Sequence, residues 1–150
     1  MTLKERLQED FKNAMREKND IKKNTIVMIK AAILQIEKDT QTQLEDDKII
    51  EIIAKEGKKR KEALPNYEKS GREDLIQQIK QEIEVVNEYL PKQLTEEDLI
   101  PIIQEAINEV GAVDIKDIGK VMQLAKSKVG VRADGRMINE IVKKLLQNNT

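Results

Sequence analysis

Apolar side chains recur at three- and four-residue intervals almost without interruption from Leu3 to Leu146, and no strand-like alternation persists anywhere. That period favours helices throughout. The core open to them is aliphatic, because 150 residues include one Phe, two Tyr and no Trp. Ile, Leu, Val, Ala and Met suit interdigitating helices better than a sheet sandwich. Charged residues reach 37%, above the usual quarter of a globular chain. A net charge of −1 and a hydrophobic share of 39% still argue for a folded chain over a disordered one.

Local start and stop signals divide the pattern into seven expected helices. Thr2 and Glu5 have capping-box spacing ahead of Leu3, Leu7, Phe11, Ala14 and Met15. Asn19-Asp20 breaks that helix and can cap a second, carrying Ile21, Thr25, Met28, Ile29, Ala32, Ile33 and Ile36. Thr42 and Glu45 repeat the capping spacing before a third, which turns basic at Lys58-Lys59-Arg60-Lys61. Pro65 and Ser70-Gly71 mark its expected end. A fourth is expected to run through Leu75 and Leu90 and stop at Pro91, since a residue before proline avoids helical geometry.

Thr95 to Asp98 is another capping sequence, and it opens a fifth helix with Pro101 set awkwardly inside and Gly111 as its stop. A sixth is expected from Asp114 to Val129-Gly130 and a seventh from Asp134 through Leu146. The expectation is an all-α protein. Its N-terminal bundle of about four helices, residues 1–92, precedes a smaller three-helix C-terminal subdomain, residues 93–150.

The chain contains no Cys and no His. That removes disulfides, thiolate metal sites, cysteine nucleophiles, and the commonest general base and metal ligand. Ser70 and Ser127, the only serines, therefore have no histidine to activate them. Asp46-Asp47 supplies too few converging oxygens for a hard cation. No catalytic residue, metal or cofactor is expected. The charged start Met1-Thr2-Leu3-Lys4-Glu5-Arg6 lacks the apolar stretch of a signal peptide, and no apolar run is long enough to span a bilayer, so the expected location is cytoplasmic.

Charge is unevenly placed. Residues 1–94 carry 19 cations and 19 acids. From 95 to 118 seven acids face one cation, Lys116, and from 119 to 150 seven cations face only Asp134 and Glu140. A positive field of this kind can attract a polyanion even on a neutral protein. The stretch from Lys126 to Arg136 reads as a turn flanked by cations and opening a helix, with Gly135 permitting close approach to the first amides. From spacing alone the simpler reading is favoured, a helix capped by Asp134 whose lysines face water. The Lys58 to Lys61 run points in nearly every direction and reads as a solvated helix end.

The C-terminal third resembles a known family. Asp117-Ile118-Gly119-Lys120-Val121-Met122, then Lys128-Val129-Gly130-Val131-Arg132-Ala133-Asp134-Gly135, then Ile141-Val142-Lys143-Lys144-Leu145-Leu146 are similar, in order, to the YqeY signature. Tyr89-Leu90-Pro91-Lys92-Gln93-Leu94 resembles that family's inter-domain junction. The resemblance implies a fold shared with the C-terminal helical and tail region of the B subunit of glutamine-dependent aspartyl/glutamyl-tRNA amidotransferase. There the tail helps hold tRNA, while the chemistry lies in domains absent here. It further implies close helix packing at Gly119 and a tight turn at Gly130.

The expected function is non-catalytic binding of tRNA or another structured RNA through its backbone and shape. The candidate contacts are Lys120, Lys126, Lys128, Arg132, Gly135, Arg136, Lys143 and Lys144. Two alternatives stand beside it. The chain would be a protein-interaction module docking through its acidic segment from Glu96 to Asp117, or an accessory subunit of a carbon–nitrogen ligase that uses glutamine as amido donor.

Overall fold

Two helices of this protein open with the same reciprocal cap. The Thr2 hydroxyl accepts from the Glu5 amide at 3.2 Å while the Glu5 carboxylate accepts from the Thr2 amide at 3.1 Å. Thr95 and Asp98 repeat the exchange at 3.2 and 3.0 Å. Each box satisfies two amides that a helix start leaves without partners. The computed structural model describes residues 1–148; the last two residues of the expected 93–150 subdomain, Asn149 and Thr150, lie outside the described residues.

The architecture is all-α, with seven α-helices, two 3-10 turns and no strand among the described residues. They are α1 (Leu3–Arg16), α2 (Asp20–Thr40), α3 (Asp46–Ser70), α4 (Glu73–Asn87), α5 (Glu96–Val110), α6 (Ile118–Val129) and α7 (Gly135–Asn148). The chain divides into two compact units, Met1–Leu90 and Pro91–Thr150.

In the first unit α1 packs on α2, and α4 packs on both α2 and α3. Leu7, Ile26, Ile29, Ile49, Ile53 and Val86 are fully buried between them, each contributing about 1.5–3 kcal/mol of transfer free energy. Gly57 lets α3 and α4 meet closely, since a methyl placed there would lie 3.0 Å from Val86 Cγ1. Tyr89 is buried in this core, its hydroxyl bonded to the Asp10 carboxylate and the Arg6 guanidinium 4.6 Å from its ring centroid. In the second unit α5, α6 and α7 pack pairwise around Leu99, Ile103, Ile107, Val121, Ile138 and Leu146. Gln93 and Leu94 belong to it, the first donating to the Val131 carbonyl at 3.1 Å and the second to the Arg132 carbonyl at 2.7 Å.

Several sequence expectations need correction. Thr42 and Glu45 make no capping box: the Thr42 hydroxyl pairs with that of Thr40 at 2.8 Å, and Glu45 caps α3 without a side-chain bond. The acid that follows, Asp46, instead accepts from the Leu3 amide at 3.1 Å and so serves the start of α1. Pro65 lies inside α3, which ends only where Gly71 turns left-handed at φ +70. Pro101 likewise sits within α5. Helix α4 stops at Asn87, ahead of Pro91, and α6 starts at Ile118 after a 3-10 turn over Ile115–Asp117 that Asp114 caps.

Candidate functional site

The cations of the second unit are distributed by helix geometry. At about 100° per residue, the apolar line of α6 (Ile118, Val121, Ala125, Val129) places Lys120 opposite the core and Lys126 and Lys128 on contrary flanks. The contacts agree. Lys128 turns toward α5, where its ammonium lies 2.9 Å from Glu109 and 3.6 Å from Glu105. The hydrogen bond to Glu109, reinforced by the charge of Glu105, raises the Lys128 pKa above the ordinary lysine value against the opposing effect of desolvation.

Lys126 turns the other way. A methyl placed at Gly135 would meet its Cε at 3.4 Å and its Nζ at 3.7 Å, so its ammonium stands beside the first residue of α7. Asp134 caps that helix, accepting from the Arg136 amide at 3.1 Å. Its carboxylate therefore shares the helix entrance with the lysine.

Arg132 is occupied with backbone. Its Nε donates to the Val129 carbonyl at 3.0 Å and its Nη2 to the Lys128 carbonyl at 2.8 Å, which closes the last turn of α6. Lys144 pairs with Glu96 at 3.5 Å, both side chains largely exposed, a contact worth about 0–1 kcal/mol. Arg136 and Lys143 remain. Seven residues apart on α7, they lie near one line, about 10 Å along the axis, opposite the buried Ile138 and Ile141.

The eight candidates thus do not form one cluster. Lys120, Lys126, Arg136 and Lys143 are exposed and make no ion pair among the described residues, whereas Lys128 and Lys144 face acids and Arg132 caps a helix. Gly119 is exposed and a methyl there would meet nothing within 4 Å, so close packing is not its role. Gly130 does make a tight turn, at φ +62 and ψ −136.

A further cluster escaped the sequence reading. Arg60, expected at a solvated helix end, is only 7% exposed. Its Nη1 donates to the carboxylate and the backbone carbonyl of Glu56, both at 3.0 Å, and its Nη2 reaches Met28 Sδ at 3.4 Å. Its Nε is buried without a hydrogen bond, 3.6 Å from Glu82. The signal was its phase: Arg60 lies three turns beyond Ile49, on the buried line that also holds Ile53 and Glu56.

The family model described as Yqey-like protein matches residues 4–146. Curated relatives named "Altered inheritance of mitochondria protein 41, mitochondrial" are similar to the chain. The one from Pyrenophora tritici-repentis is 33% identical over 56% of this chain and 46% of its own length. Those from Vanderwaltozyma polyspora and Eremothecium gossypii are 29% and 33% identical, over 75% and 56% of this chain and 64% and 46% of their own lengths. The chain thus spans roughly half to two thirds of the curated relatives it matches. Their names are those of mitochondrial proteins, and the cytoplasmic expectation is overturned by them. That expectation rested on a charged stretch and on a lack of apolar segments, neither of which distinguishes one aqueous compartment from another. Among the described residues, no helix is long and apolar enough to cross a membrane.

Proposed function

The chain belongs to the Yqey-like protein family, and on that footing we propose that it holds structured RNA, tRNA first, without catalysing a reaction on it. In this reading a first-unit bundle of about four helices is a scaffold, and the three-helix second unit meets the phosphate backbone. The observation that carries it is the set of four exposed cations on α6 and α7, Lys120, Lys126, Arg136 and Lys143, left without acidic partners among the described residues. The recognition is of backbone and shape. No Phe, Tyr or Trp occurs from residue 91 to 150, so bases have no ring to stack on there.

Binding of labelled tRNA across a salt series tests this. Neutralising four phosphates gives a log–log slope of about −3.6, taking about −0.9 for each as on duplex. Lys126→Glu, Arg136→Glu and Lys143→Glu together should remove most of the affinity. Binding unaffected by salt or by these reversals overturns the reading.

A second reading is favoured by one observation. Val113 and Ile115, within the acidic Glu96 to Asp117 segment, are 69% and 42% exposed. Exposed apolar side chains within an acidic segment suit a protein partner, including the catalytic subunits of a carbon–nitrogen ligase that takes its amide from glutamine. Recovery from cells with a protein and no RNA would select it.

A further inference from the structure

Helix α2 leaves an apolar line open to solvent. Val27 is 45% and Leu34 51% exposed, with Ala31 exposed between them, and Met28, 50% exposed, stands beside the line. The spacing i, i+4, i+7 puts Val27, Ala31 and Leu34 on one face, across the helix from the buried Ile29. Two hollows flank it. One of about 400 Å³ opens toward α1 beside Leu34, and one of about 450 Å³ opens toward α3 and α4 beside Met28. Ala31 lies on the rim of both, so a small side chain stands on a ridge between two depressions. A second helix can approach closely over such a ridge and send larger side chains into the hollows on either side.

The charges on this line identify the occupant. Asp20 begins α2 and Lys38 lies in its last turn. They are eighteen residues apart, about five full turns, so both fall on the meridian of Val27 and Ala31. The Asp20 side chain is 80% exposed, with Lys23 at 3.7 Å its one ion pair among the described residues, and Lys38 is exposed with none among them. A two-fold axis crossing α2 at the level of Ile29 carries Asp20 onto the partner's Lys38 and Val27 onto the partner's Ala31. The line is therefore its own complement when run antiparallel. Antiparallel helices also set opposite ends of their dipoles side by side.

We propose that the protein forms a two-fold dimer through this face, α2 against α2 of a second copy, with a reciprocal Asp20–Lys38 pair at each end. A single helix face lies at the small end of specific interfaces, below about 1,200 Å² in total, so the dimer is weak and depends on concentration.

Sedimentation of the full chain from micromolar to millimolar concentration reads it directly. Dimer is expected to accumulate across this range at low salt. Asp20→Lys or Lys38→Asp alone sets like charges opposite each other at both ends and shifts the equilibrium toward monomer. The double exchange Asp20→Lys/Lys38→Asp restores the dimer, although it is unfavourable for the dipole of α2 itself, so restoration cannot come from a sturdier helix. Register is read separately, and the absence of native cysteine makes it clean. Val27→Cys and Ala31→Cys chains, mixed under mild oxidation, are expected to cross-link to each other faster than either does to itself. A chain that stays monomeric at millimolar concentration leaves the face to some other partner and overturns the proposal. So does a dimer indifferent to the charge exchange, or one without the 27-to-31 preference.

Discussion

Lys128 and Glu109 are joined across α6 and α5 by a 2.9 Å hydrogen bond, with Glu105 at 3.6 Å from the same ammonium. The central cation of the basic segment thus answers acids of its own unit. Lys128→Met, which keeps the apolar stem, is expected to leave the salt slope of tRNA binding unchanged. The triple reversal of Lys126, Arg136 and Lys143 is expected to flatten it by about 2.7, three contacts' worth. Fluorescence anisotropy at four or more salt concentrations separates the two. A loss from Lys128→Met equal to that of the triple would show that the acids of α5 do not hold it.

Arg60→Ala leaves Glu82 without its cation, and Glu56 with only the exposed Lys59 at 3.4 Å, in a largely buried site. The expected cost is about 3–5 kcal/mol, the usual penalty for breaking a buried pair from one side. Replacing the group together, as Glu56→Leu/Arg60→Met/Glu82→Gln, should recover most of it. Denaturant unfolding monitored by circular dichroism measures both.

Two glycines of the family-like blocks should respond in opposite directions. At Gly119 the backbone is helical and open space surrounds the Cα, so Gly119→Ala is expected to stabilise by about 0.5–1 kcal/mol. At Gly130 the backbone occupies a region that side chains resist, so Gly130→Ala is expected to cost about 1–3 kcal/mol. Thermal melts of the two variants give the signs.

Acid sensitivity has named sources. The Lys4 ammonium and the Leu44 amide hold the Glu37 carboxyl below its ordinary value, and the Thr95 amide and hydroxyl do the same for Asp98. Because these folded values are depressed, the stabilisation is complete above the unfolded pKa values, 4.5 and 3.8, and disappears as pH falls through the folded ones. Wild type should therefore melt above Glu37→Gln near pH 6, and the gap should shrink as pH falls below 4.5.

How legible each feature was depended on how far its determinants lie along the chain. The boxes at Thr2–Glu5 and Thr95–Asp98, the Asn19 cap and the Gly111 stop are settled within a turn, and all were readable. Thr42–Glu45 has the same spacing and failed, because α3 begins only after Glu45 and the Thr42 hydroxyl pairs with that of Thr40. Pro65 and Pro101 signal interruption, yet each lies within a continuous helix. The candidate cations were visible as residues. Their partners were not, since Glu109 precedes Lys128 by nineteen residues and Glu96 precedes Lys144 by forty-eight. Arg60 is the reverse case: its phase along α3 pointed inward, but four adjacent cations read as a wet surface.

The buried clusters around Leu7 and around Leu99 have no member in common. Cooperativity extends only as far as a shared interior, so a calorimetric trace of this chain is expected to contain two endotherms. An injury at Arg60 should displace one and an injury at Gly130 the other. A single midpoint quoted for the whole polypeptide would average two events and describe neither.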